Sequence, residues 1–105
     1  MPHLTVEYSR NLADFPEAQV LAALNQAVTG SPEVADEADL KSRCVVHDSY
    51  AIGTAPEGRA FVHAQLRLLS GRTPEAKQDF SERIAAVLRR LTPRPAGMLV
   101  QLSVE

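Results

Sequence analysis

Polar and apolar residues alternate from the start of the chain. Leu4, Val6 and Tyr8 fall on one side, with His3, Thr5 and Glu7 on the other, which predicts a half-buried strand at about residues 2–8. Asp14 and Glu17 then stand three apart, as in a capping box. Ala18, Leu21, Leu24, Ala27 and Val28 recur at helical spacing up to Thr29, and Gly30-Ser31-Pro32 closes that helix. The acidic stretch 31–39 reads as a loop with room for one helical turn, and the β-branched run 41–49 as a strand. Gly53, Pro56 and Gly58 mark 51–58 as a loop or wide hairpin turn.

The second half repeats this order. Val62, Ala64, Leu66 and Leu68 alternate with His63, Gln65 and Arg67 in a strand at about 59–69. Thr73 is suited to cap a helix and Pro74 to occupy its first position, where no amide hydrogen is needed. Phe80, Ile84, Val87, Leu88 and Leu91 draw one apolar stripe along a helix at about 74–91. After the break at 92–97, Met98, Val100, Leu102 and Val104 share one face of a last strand. A shift of 58 positions lays Pro16-Glu17-Ala18 on Pro74-Glu75-Ala76, and the matching order of elements supports a duplicated unit.

The expected fold is therefore α+β, a two-layer domain over residues 1–105 with β-α-β halves at about 1–50 and 59–105. A hairpin-like turn would join the halves into a four-stranded mixed sheet with two helices on one face. The other face would carry His3, Thr5, Glu7, His63, Gln65, Arg67, Gln101 and Ser103, lying in water or against copies of itself.

Composition narrows the class. Among 105 residues, 45% are apolar and 23% charged, as in a globular domain. Thirteen acidic residues outnumber eleven basic ones, which argues against a nucleic-acid partner. No apolar run reaches the roughly 20 residues of a membrane span, and no signal sequence opens the chain. The single Cys44 has no internal disulfide partner, in keeping with a cytoplasmic location. Cys44 reads as a small buried strand residue whose pKa the adjacent Arg43 would lower.

Candidate chemistry starts at Pro2. Proline cannot donate to a sheet ladder, so its plain role is to begin a strand. Should Met1 be removed, Pro2 becomes a secondary amine, and burial with nearby cations would tune such an amine toward a general base. Lys41, Arg43 and Arg72 are the cations to hand. Each also has a plainer reading: Arg72 as a solvated turn residue, Lys41 and Arg43 as a strand end beside Asp36, Glu37 and Asp39. His3, His47 and His63 show no metal-ligand spacing, and Tyr8, Phe15 and Tyr50 read as packing residues.

MPHLTVEYSRNL, DLKSRCVVHDSYAIG and RAFVHAQLRLLSGRTPEAKQ together resemble the 5-carboxymethyl-2-hydroxymuconate delta-isomerases of the tautomerase superfamily. The resemblance implies a homotrimer around a polar channel, and a cofactor-free and metal-free isomerase with the amino-terminal proline, Pro2 here, as its catalytic base. It implies a carboxylated enol or dienol as substrate, within homoprotocatechuate degradation. Family arginines that hold the carboxylates fall on Arg72 and on position 41, which is lysine in this chain, and Arg43 also matches a family arginine. Typical members continue past the position of Glu105. Other superfamily chemistries, decarboxylation, hydration or dehalogenation of small unsaturated acids, and a non-catalytic trimeric binding role are the alternatives.

Overall fold

A computed structural model describes all 105 residues. Its elements are β1 (His3–Ser9), α1 (Glu17–Thr29), a single 3-10 turn (Glu37–Asp39), β2 (Lys41–His47), β3 (Arg59–Arg67), α2 (Pro74–Leu91) and β4 (Leu99–Val104). The four strands form one sheet in the order β2-β1-β3-β4. β1 runs parallel to β2 and antiparallel to β3, and β3 runs parallel to β4. The two β-α-β units thus meet along β1 and β3 at the centre of the sheet.

That order corrects one expectation. β2 and β3 are not neighbours, so residues 48–58 do not turn a hairpin; they pass over the end of β1 from one side of it to the other. Side chains at the end of β1 and just beyond it tie down the crossing. Ser9 Oγ accepts from the Phe61 N–H at 3.1 Å, and Asn11 Nδ2 donates to the Arg59 carbonyl at 2.7 Å. Gly53 adopts φ +61°, and a Cβ there would come within 2.5 Å of the Arg59 guanidinium, which donates to the Ile52 carbonyl. Glycine suits the positive φ here and leaves the guanidinium its place on the Ile52 carbonyl.

Alternation sorts the strands into two faces. Leu4, Val6, Ala60, Val62 and Ala64 are fully buried beneath the helices. Val20, Leu24 and Val28 from α1, and Phe80, Ile84 and Leu88 from α2, close the same core. Both helices therefore cover one face, as the duplicated pattern predicts. On the open face His3, Thr5 and Glu7 are joined by the predicted His63, Gln65, Arg67, Gln101 and Ser103, and register adds Lys41, Arg43, Val45 and His47 from β2. Exposed Val45 and Leu99 make this face less uniformly polar than expected.

The helices begin differently. Thr73 Oγ1 accepts from the Ala76 N–H at 3.1 Å, with Pro74 in the first turn, as its sequence predicts. α1 has no capping box: Pro16 stands at its N-cap and no side chain caps it. The Leu12–Phe15 turn sets the entry instead, and Glu17 is taken up by the Tyr8 hydroxyl, which donates to it. At the far end of α1, Arg83 of α2 donates to the Ala27 carbonyl at 3.0 Å and pairs with Asp79. No helix is long and apolar enough to cross a membrane.

Ile84 is fully buried where α2 meets the core, so Ile84→Ala leaves a cavity that rigid neighbours cannot close. The expected cost is about 2–5 kcal/mol, read as a lowered urea midpoint with little change in slope.

Candidate active site

Pro2 is buried at the entrance to β1. The ladder needs no hydrogen from it, because β1 pairing begins at His3, while its carbonyl accepts the Lys41 N–H at 3.3 Å. Proline at a strand start satisfies the backbone here without loss. The same bond sets Lys41 at the start of β2 directly beside the chain terminus.

The electrostatics of this corner follow. The Met1 amine is held below its usual value, first by its hydrogen bond with the Lys41 side chain, then by desolvation and the Lys41 charge; Asp39 acts weakly in the opposite sense. A cation next to an amine disfavours the ammonium form. His3 is also depressed, by desolvation and then by Arg43, Lys41, the terminal amine and Arg67. The Pro2 end of the sheet is thus a region of positive potential.

The predicted cations are not equivalent. Lys41 is exposed beside the terminus. Arg43 lies two positions further along β2 on the open face, where its guanidinium donates to His3 Nδ1 at 2.9 Å. Arg72 follows β3 and precedes α2; it donates to the Leu69 carbonyl at 3.2 Å and approaches Glu33 at 3.9 Å. Since His3 pairs with Arg67 and β3 runs on from there, the Arg72 turn lies at the same end of the sheet as Pro2. Arg67 is exposed in this region and has no intrachain ion pair. The strand alternation placed Arg67 on the open face, yet only the pairing of β1 with β3 brings it beside His3.

Cys44 corrects a further expectation. Its side chain shares the helix-covered face with Val6, not the Arg43 face, and burial followed by the Glu17 charge pushes the thiol up to about 11. Sequence adjacency to Arg43 counts for nothing, because neighbours in a strand point to opposite faces. No group of three or more His, Cys, Asp or Glu side chains is arranged to hold a metal ion.

A cavity of about 440 Å³ lies at the opposite end of the sheet, bounded by Asn11, Tyr50, Ile52, Glu57, Arg59 and Met98. It is remote from Pro2, and Arg59 is already committed to the crossing loop. A smaller recess of about 290 Å³, bounded by Leu66, Leu68, Leu69, Ser70, Lys77 and Glu105, lies by the end of β3 nearer Pro2.

The family model for 5-carboxymethyl-2-hydroxymuconate isomerase matches residues 2–105. Among solved structures, a 5-carboxymethyl-2-hydroxymuconate isomerase from Deinococcus radiodurans R1 is 27% identical, with TM-score 0.78 over 99% of this chain and 82% of that one. A 5-carboxymethyl-2-hydroxymuconate delta-isomerase is 26% identical, with TM-score 0.85 over 100% of this chain and 80% of that one. A fused 4-OT that forms a symmetric trimer is 25% identical, with TM-score 0.63 over 98% of this chain and 83% of that one. No curated protein matches the chain.

Replacing Lys41 with glutamine removes both the hydrogen bond and the charge that depress the Met1 amine. In Lys41→Gln that pKa is expected to rise toward the ordinary value of 8.0, as followed by ¹⁵N NMR of the Met1-retaining chain; an unchanged titration removes Lys41 as the cause.

Proposed function

The chain belongs to the 5-carboxymethyl-2-hydroxymuconate isomerase family, and from that premise we propose that it moves a proton within a 5-carboxymethyl-2-hydroxymuconate-like dienol, with Pro2 as the base once Met1 has been removed. It is an isomerase of the tautomerase superfamily. The observation that carries the finer reading is the placement of buried Pro2 beside Lys41, in a corner that already depresses an amine.

With Met1 attached, the Pro2 nitrogen is an amide and has no basic lone pair. Freed, it is a secondary amine in the same positive surroundings, so a larger share is neutral at working pH than for an exposed proline. The neutral amine takes the proton from the 2-hydroxyl of the dienol as electrons move through the conjugated system. The resulting ammonium returns that proton to carbon 5, giving the conjugated ketone. No atom is gained or lost, and the base ends as it began.

The dienolate formed between these steps is an anion carrying carboxylates. In this proposal Arg72 and Lys41 hold a carboxylate and stabilise the developing charge, and Arg43 supports them through His3. Lysine at 41 supplies a point charge in place of a bidentate fork. The open sheet face supports assembly as a homotrimer of single-domain chains, since a two-layer domain of this size buries limited area alone.

Two substitutions test the reading by different routes. Pro2→Ala should lower kcat for dienol ketonisation by 10²-fold or more, within the range attributed to a positioned base; near-normal kcat in the Met1-free protein would sink the assignment. Arg72→Ala should lower kcat/KM on carboxylated enols about tenfold, the loss of one charge-assisted contact, and kinetics equal to the parent would remove Arg72 from the site.

A further inference from the structure

The open face beside Pro2 adds to Lys41 and His3 a cation, Arg67, that the proton transfer does not use. His3 pairs with Lys41 of β2 on one side and with Arg67 of β3 on the other, so the three residues lie in one row across three adjacent strands. Arg43 lies one step along, paired in register with Thr5.

Hydrogen-bonding capacity in this row runs one way. A guanidinium can only donate, so the 2.9 Å bond from Arg43 makes His3 Nδ1 an acceptor. The neutral His3 ring then carries its hydrogen on Nε2. Lys41, His3 Nε2 and Arg67 are therefore all donors, with no acceptor among them.

Asp39, just before Lys41, opposes it at the terminal amine but forms no ion pair with the row. Glu7 is engaged by His47 at 2.8 Å and Glu105 by His63 at 3.1 Å. Neither Lys41 nor Arg67 forms an ion pair within the chain. Lys41 and Arg67 thus flank the neutral His3 ring with their charges unpaired, and an anion over His3 is attracted by both.

We propose that Lys41, His3 and Arg67 form a carboxylate-binding row, and that Arg67 selects enols carrying carboxylates remote from the reacting carbons. The proposal rests on the Pro2 reading for its link to catalysis. Two strand spacings separate the backbones of Lys41 and Arg67, about 10 Å. Their long side chains can converge from that span onto two carboxylates of one short carbon chain, with the His3 N–H between them. Arg72 lies outside the row, beyond the end of β3, and leaves this second set of charges for the rest of the molecule.

Two measurements separate this proposal from the Pro2 assignment. Propane-1,2,3-tricarboxylate, which has no enol to turn over, should shift the His3 ring resonances saturably in NMR, with apparent affinity about tenfold weaker in Arg67→Gln. Unmoved His3 resonances, or equal affinity in the variant, would overturn the row. In kinetics, the ratio of kcat/KM for a tricarboxylated dienol to that for monocarboxylated phenylenolpyruvate should fall about tenfold in Arg67→Gln, and an unchanged ratio overturns the selective role. Failure of Pro2 itself shows differently: Pro2→Ala would keep its turnover while the His3 titration stood.

Discussion

The fold depends on β1 being paired on both sides while only one of its faces is apolar. Leu4, Val6 and Tyr8 must enter the core, so the register with β2 and with β3 is set together. A slip of one residue would carry all three to the open face and bring His3, Thr5 and Glu7 under the helices. The position of Pro2 follows from the same constraint. It stands one residue before a strand whose every other position is fixed, and so its nitrogen is held at the sheet's end by packing that lies elsewhere.

Charge on the open face is segregated along the strands. At the Pro2 end lie Lys41, Arg43 and Arg67, with His3 kept neutral among them. Further along, the carboxylates enter the face, Glu7 bonded to His47 and Glu105 to His63. Coulomb energies between exposed groups are small and screened by salt. They matter more here because several cations share one corner: Lys41 acts on the terminal amine, and Arg43, Lys41 and Arg67 act on His3. Positive potential there favours a neutral base and an anionic ligand at once, so the two requirements of the proposed chemistry do not compete.

Much of this was legible in the sequence, for physical reasons that differ by element. α2 announced itself because Thr73, Pro74 and a five-residue apolar stripe agree on one helix. β1 and β3 were plain from strict alternation. The start of α1 was misleading: Asp14 and Glu17 have the spacing of a capping box, but the Tyr8 hydroxyl claims Glu17, a contact that no local pattern contains. The 48–58 segment looked like a hairpin because its glycines mark turns without saying which strands they join. Cys44 was assigned the wrong neighbour for want of a face. Arg67 stood on the expected face, yet its place beside His3 follows from β1–β3 pairing across more than sixty residues.

Lysine at position 41 becomes intelligible at this level. An arginine there would bring a planar fork suited to gripping a carboxylate in one orientation. The ammonium of Lys41 instead stands beside the terminal amine and adds a compact charge on a flexible stem. Such a group can lower the basicity of a neighbouring nitrogen and still swing to meet an anion when one arrives. Gripping is left to the guanidinium groups, Arg72 past the end of β3 and Arg67 across β1. On this view the lysine changes the division of labour in the corner while preserving its sign, and the proposed proline base and carboxylated substrate both depend on that sign.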